Sequence, residues 1–495
     1  MDAALQSDVE FADIRVGTQR QYDISAAGMG GLSSAVGYSV RVRAQGTWSV
    51  KHGTALTTDA VTSTAREAAV TARNAAAVNA TLRRTKLGGL DTLELAPAPV
   101  VTGEWHVPVE VDPFTVPFDD TVRLCESLAG LGPRFGHVGT LASVRWTTET
   151  IVFASTDGSL VTQTLPRAIP NFGAVAWLPS STGDTVYVAL AGAEPASRGY
   201  EIVLATDLPD RYRAAAEEAI RLRELPITTF DDVGRYPIVF GGSAFAALAA
   251  TILSPALDGD RIFGFEADAS GDSFLVPIDD ALHAATPAFS PLLTMSAHRA
   301  LPSPVAVGWD DDGVTPEPYT LIEHGRVVDV HTTRDTAPLM AEWYRQRNQP
   351  MRSHGCSVTA SPTGAPVGGG SHVVVHPAST TISNESLWRD MTHGFFMRGL
   401  RVNPSPTLSS AAASSGYGLE IKHGKPIARL NPYEPLRISV AARSLFDKQM
   451  VALGGSNTVG TGFETLSKSM PWQRLWQPAT APAARCDNVD VIKWS

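Results

Sequence analysis

The chain of 495 residues is poor in several things that would assign a function. It has three cysteines, Cys125, Cys356 and Cys486, far apart and with no CxxC pair. An odd, sparse count fits a reducing cytoplasm better than a disulfide framework. The opening MDAALQSDVEFADIRVG lacks the basic start and apolar centre of a signal peptide. The longest apolar run, Ala244–Leu253, is too short to cross a bilayer. With a formal net charge of -10 and no lysine or arginine run, a nucleic-acid or anionic-membrane partner is not expected. There is no phosphate-binding glycine loop with its lysine and no G-x-S-x-G elbow. What is present is 43% hydrophobic and 18% charged residues, a globular composition long enough for two or three domains.

Residue patterning predicts an α+β protein: a mixed αβ N-terminal domain with long helices packed on sheet, then a β-rich, barrel-like C-terminal domain. The expected segments are 1–95, 96–230 and 231–495. YSVRVRAQGTWSVKHG reads as strand, Gln-Gly turn, strand. The alanine-rich stretch after it reads as a helix from about Asp59 to Val78, capped by Thr58 or Asp59. TVRLCESLAGL and DRYRAAAEEAIRLREL read as helices. ASVRWTTETIVFASTDGSLVTQTLPRAI reads as two strands around Thr-Asp-Gly-Ser. Beyond Val233 come short strands, with two similar hairpins, TLIEHGRVVDV and LEIKHGKPIARL, whose His324 and His423 are read as turn residues.

Three groups invite a chemical reading. His372 and His376 in SHVVVH would share a metal if helical. The three valines between them predict a strand, in which i and i+4 lie about 13 Å apart, too far for one ion. His354 and Cys356 in RSHGC hold the parts of a thiol nucleophile, although a free cysteine is more often a small buried hydrophobe. Asp310-Asp311-Asp312-Gly313 could attract a hard cation. No calcium loop of the required spacing follows, so it reads as an acidic turn. His354, Cys356 and His372 are the candidate peptide-groove residues.

The order of segments resembles the TldD/PmbA family of modulator-of-gyrase metallopeptidases from about Asp13 to Ile492. WDDDGVTPEPYTLIEHGRVVDV is the most specific piece; VGYSVRVRAQGTWSVKHG, IVFASTDGSLVTQT and GYGLEIKHGKPIARL are similar to other family segments. In the catalytic branch a helix carries H-E-x-x-x-H. Its histidines hold zinc, its glutamate is the general base, and a late cysteine is a further ligand. Anchored on LDGDRIFGFEA, the resemblance puts those four roles on Ala250, Thr251, Pro255 and Gly462, none of which can perform them. It therefore implies a TldE/PmbA-like or degenerate TldD chain with no catalytic residue and no cofactor of its own. Zinc is expected only in a TldD-type partner bearing H-E-x-x-x-H. The implied assembly is a heterodimer with that partner, or a homodimer, acting on extended small or unfolded peptides. Two other readings stay open: a divergent enzyme modifying a peptide-like metabolite, and a peptide-binding scaffold.

Overall fold

The computed structural model describes residues 9–26, 28–85, 94–177, 185–189, 192–204, 207–228, 232–266, 271–276, 278, 282, 286–378 and 381–492. No helix among them is long and apolar enough to cross a membrane.

The first half is built on one seven-stranded sheet, in the order β3-β2-β1-β5-β6-β4 with β7 beside β6. Its strands are β1 Phe11–Ser25, β2 Gly28–Ala44, β3 Thr47–Gly53, β4 Thr102–His106, β5 Val138–Ser155, β6 Leu160–Trp177 and β7 Thr185–Ala189. Residues before and after position 95 thus share a sheet. The β2–β3 turn places Gln45 and Gly46 at φ 46° and 74°, the left-handed pair that a two-residue hairpin needs. Helix α1 runs Thr58–Arg84, longer than the sequence suggests, and its cap is Thr57, whose Oγ1 accepts the Ala60 N–H at 3.2 Å. Ala65, Ala68, Ala69, Ala72 and Ala76 form its buried stripe, spaced for one helical face. Helices α2 Phe118–Ala129 and α3 Leu208–Arg223 complete this layer.

The two-residue period of the strands splits this sheet into unlike faces. Even-numbered residues, among them Val40, Val42, Val144 and Trp146, are hydrocarbon packed under the helices. The odd-numbered face is mixed: Asp13, Arg15, Arg41, Gln163 and Arg167 are polar and buried toward the second half of the chain, beside the apolar Ile151, Phe153 and Leu165. There Arg15 Nη2 meets Asp311 Oδ1 at 3.0 Å and Arg41 Nη2 meets Asp312 Oδ1 at 2.7 Å. The acidic turn is therefore not a solvated one. It is a buried ion-paired joint between the halves, with Asp310 taking N–H bonds from Asp312, Val314 and Ser357.

The second half has a curled nine-stranded sheet in the order β16-β17-β20-β24-β8-β15-β18-β19, with β21 beside β24. Its members are β8 Gly234–Phe240, β15 His393–Met397, β16 Arg401–Pro404, β17 Ser410–Ser415, β18 Gly418–Lys422, β19 Lys425–Arg429, β20 Leu436–Ala441, β21 Met450–Leu453 and β24 Ala484–Val491. A six-stranded sheet has the order β11-β10-β9-β14-β23-β22. It comprises β9 Met295–His298, β10 Tyr319–Glu323, β11 Arg326–Val327, β14 His372–Val375, β22 Gly460–Lys468 and β23 Gln473–Ala481. A small pair joins β12 Ser357–Val358 to β13 Val367–Gly368. His324 and His423 sit at the two expected turns, at φ 47° and 48°, each followed by a left-handed glycine. Helix α4, Gly242–Leu248, follows β8 and packs against β22 and β23 in the largest apolar core of the chain.

Candidate functional site

The helix that begins as α4 does not stay α-helical. Over Ala249–Leu253 it widens to a π-turn, and the Ser254 N–H bonds the Ala249 carbonyl, five residues back. Pro255 follows at once, and its missing N–H removes the donor that would return the chain to regular α bonding. In an ideal α-helix positions i and i+5 are about 140° apart. A π-turn, with its i→i+5 bonds, brings such a pair toward one side. Ala250 and Pro255 are such a pair. The backbone has the widening that two ligands at this spacing require, while the side chains are hydrocarbon.

Zinc does not fit the residues present. Ala250, Pro255 and Gly462 have no donor atoms. Thr251 uses its hydroxyl on its own helix, donating to the Ala247 carbonyl at 2.7 Å. Gly462 lies so close to α4 that a Cβ there would stand 2.9 Å from Ala247 N and 3.1 Å from the Ala246 carbonyl carbon. A cysteine at 462 would need the helix to move. Among the described residues no group of three or more His, Cys, Asp or Glu is placed to hold a metal ion.

Beside the π-turn lies a buried polar chain. Ser254 Oγ is 3.1 Å from His331 Nε2, and His331 Nδ1 bonds the Tyr319 hydroxyl. Gln477 Nε2 donates to Ser254 Oγ at 3.0 Å and to the Ser371 carbonyl at 2.7 Å. Burial, with His354 and Lys468 nearby, pushes the His331 pKa down to about 3, so the imidazole is neutral. Serine, imidazole and phenol in hydrogen-bond reach are the parts of a nucleophilic relay. Ser254 and His331 are each 1% exposed, so no substrate reaches them, and the chain serves the core. The acidic residues after the helix are equally enclosed: Lys468 Nζ lies 2.9 Å from Asp258 Oδ2 and 2.8 Å from Asp260 Oδ1.

The three candidate groove residues lie in unlike surroundings. His354 stacks on Tyr319, with ring centroids 3.9 Å apart, and its Nε2 lies 3.0 Å from Asp329 Oδ2. Cys356 donates to the Thr332 carbonyl. Both are buried, because the strand carrying Tyr319 and the helical turn carrying Tyr344 close over them. Burial, then Asp310 and Asp258, hold the Cys356 thiol well above its usual pKa, the reverse of what a thiolate nucleophile needs. His372 is only part-buried. It stacks on His298 at 4.9 Å and bonds Ser303 and Thr480. His376 continues the same strand direction and bonds Ser296 instead. Sequence reasoning missed Ser254, His331, Tyr319 and Gln477, which lie up to 223 residues apart and carry no common spacing.

The family model for the PmbA/TldA metallopeptidase C-terminal domain matches residues 233–493. TldE from Thermococcus kodakarensis is similar in structure, with TM-score 0.64 at 15% identity, covering 98% of this chain and 97% of that one. A protein described as a DNA gyrase modulator from Thermotoga maritima gives TM-score 0.63 at 15% identity, over 97% and 96%. Another so described, from Bacteroides thetaiotaomicron, gives TM-score 0.64 at 14% identity, over 100% and 97%. None of the curated proteins matches the chain.

Proposed function

The chain belongs to the TldD/PmbA metallopeptidase family, and from that premise we propose that it is a non-catalytic, TldE/PmbA-like subunit. It completes a peptidase whose zinc is held by an H-E-x-x-x-H homologue, and the assembly acts on small or unfolded peptides. The observation that carries this reading is the helix at Ala250–Pro255: widened as an i, i+5 ligand pair requires, with no donor atom on the side chain at either end of that pair. The terminal strand β22 has no second neighbouring strand among the described residues. Its outer edge suits strand addition, where main-chain hydrogen bonds hold a peptide with little sequence preference.

The test is co-expression with an H-E-x-x-x-H homologue, followed by size-exclusion chromatography and metal analysis of each chain. A stable complex with zinc confined to the homologue, and chelator-sensitive peptidase activity only in the complex, is expected. Chelator-sensitive proteolysis by this chain alone overturns the reading. So does about one tightly held zinc in this chain, the stoichiometry of a single site.

A further inference from the structure

The odd-numbered face of the N-terminal sheet leaves a cleft against the second half of the chain. At its narrow end a cavity of about 30 Å³ is lined by Arg15, Arg167 and Arg299, with Glu149 and Asp311. Three guanidinium groups and two carboxylates line it, with Asp310 also acting on Arg299. The carboxylates are already engaged, Glu149 by Arg167 at 2.6 Å and Asp311 by Arg15 at 3.0 Å. Arg299 donates to the carbonyls of Val305, Gly355 and Ser357. Nε of Arg15 and Nε of Arg167 have no hydrogen-bond partner, although both residues are more than nine-tenths buried. Buried donors are nearly always satisfied, so two orphans beside one cavity mark a place where an acceptor belongs.

Arg299 and Val307 also wall a wider space of about 370 Å³, bounded by Trp105, Trp309, Pro316 and Pro318. Its walls are set in advance. Trp105 lies over Gly308, where an added Cβ would come within 2.6 Å of the ring. Gln163 fixes the next residue, its Nε2 donating to the Trp309 carbonyl at 2.9 Å and its Oε1 accepting from the Gly308 and Trp309 N–H groups. A polar cavity with orphaned donors thus shares the wall of Arg299 and Val307 with an indole and proline pocket. Such sites use a few placed polar groups for orientation and apolar walls for affinity.

We propose that this cleft binds an organic carboxylate with an aromatic or apolar body. The carboxylate meets the guanidinium groups, whose planar N–H pairs suit it, and the body lies between the indoles. Two sources share this chemistry: a small aromatic acid and the C-terminal residue of a peptide. The inference is independent of the peptidase reading, because no residue of the π-turn and no partner subunit takes part.

Titration calorimetry on the full chain decides it, with N-acetylphenylalanine and its amide as probes. The acid binds saturably and the amide at least about tenfold more weakly, the loss of one charge-assisted contact. Arg167→Gln and Trp309→Ala each weaken the acid by about tenfold while circular dichroism shows a folded chain. Trp309→Ala leaves the Gln163 bonds intact, since these go to backbone. If one variant fails to fold, the other and the acid–amide pair still decide. Equal binding of acid and amide, no saturable binding to the folded wild type, or wild-type affinity in the folded variants overturns the proposal. A pentapeptide ending in free phenylalanine that displaces the acid, with its amidated form inert, assigns the peptide source. Failure to displace assigns the small acid. Neither result touches the co-expression test.

Discussion

Around Ala250 every neighbour along the helix from Ala244 to Leu253 is buried and, Thr251 apart, hydrocarbon. Around Arg15 and Arg167, which are as deeply enclosed, the neighbours are charges and orphaned donors. Filling a ligand position with alanine, proline and glycine lets the core close over it, which gains apolar burial and leaves no polar debt. Keeping guanidinium groups under a sheet has a standing desolvation cost unless something completes their bonding. On the proposed reading the first region is a ligand site made into core. The second is core that retains the composition of a ligand site.

The largest effect belongs to rebuilding the metal motif. Ala250→His, Thr251→Glu, Pro255→His and Gly462→Cys together place a carboxylate and two imidazoles where exposure is 3% or less at Ala250 and Thr251, and press a side chain into α4. Each buried unpaired group costs several kcal/mol, and together they approach the roughly 5–15 kcal/mol that holds a domain together. The expected outcome is loss of soluble, cooperatively melting protein, with weak zinc binding in whatever folds. A stable quadruple variant with tight zinc and chelator-sensitive turnover would show that the site had lost only its ligands.

That contrast was half legible in the sequence. The roles expected at Ala250, Thr251, Pro255 and Gly462 come from the family resemblance alone, whereas the hairpins at Gln45-Gly46, His324-Gly325 and His423-Gly424 follow from turn chemistry that acts within two residues. The arginine cleft was not read. Its charged residues, Arg15, Glu149, Arg167, Arg299 and Asp311, come from five segments, and the pairing of β1, β5 and β6 joins only the first three. A signal did exist: Arg41 and Arg43 alternate with Val40 and Val42 in β2, so one face of that strand had to bury charge or meet it. The acidic turn at Asp310–Asp312 was the complementary half, read only as an acidic turn because its partners Arg15 and Arg41 lie about 270 or more residues away, where spacing rules do not reach. His354 and Cys356 were placed in a groove because local sequence cannot show what stacks on top of them.

Lys468→Met tests what became of the acidic segment after the helix. Burial tends to lower the Lys468 pKa, but Asp258 and Asp260 outweigh it and hold the ammonium charged. Removing it leaves two enclosed carboxylates without their cation, a change of about 3–5 kcal/mol in denaturant unfolding. Asp258 is already pushed up to about 6 by burial, in spite of Lys468. The variant therefore takes up protons more readily, and its deficit shrinks as pH falls. A deficit independent of pH would mean the segment is relaxed and wet.

A smaller effect is the acid limb of stability. The His331 pKa is depressed to about 3 in the fold, by burial first, against 6.5 in the unfolded chain. Between those values the unfolded state binds more protons, so stability falls as pH drops below 6.5. This one group removes about 2 kcal/mol from about pH 7 to about pH 5. His331→Gln lowers stability at neutral pH but flattens that limb, as urea titrations at the two pH values would read. An unchanged slope would mean that His331 is hydrated and that the polar chain beside the π-turn is open.

The smallest effect is expected at Thr251, where the resemblance places the catalytic branch's general base. Its hydroxyl is buried and donates back to the Ala247 carbonyl. Valine keeps the side chain's shape and gives up only that bond, which returns a carbonyl to its ordinary helical role. Mid-helix back-bonding of this kind adds little to stability and tends to bend the helix. Thr251→Val should therefore shift unfolding by less than about 1 kcal/mol. If the proposed complex forms, its turnover should also stay within about twofold of wild type, a barrier change well under 1.36 kcal/mol. The result matters because it separates two meanings of a lost residue. A hydroxyl that merely fills space leaves both readings flat. A tenfold fall in turnover at unchanged stability would show that Thr251 acts on the reaction from inside this chain, and the helix would then be a working part of the site.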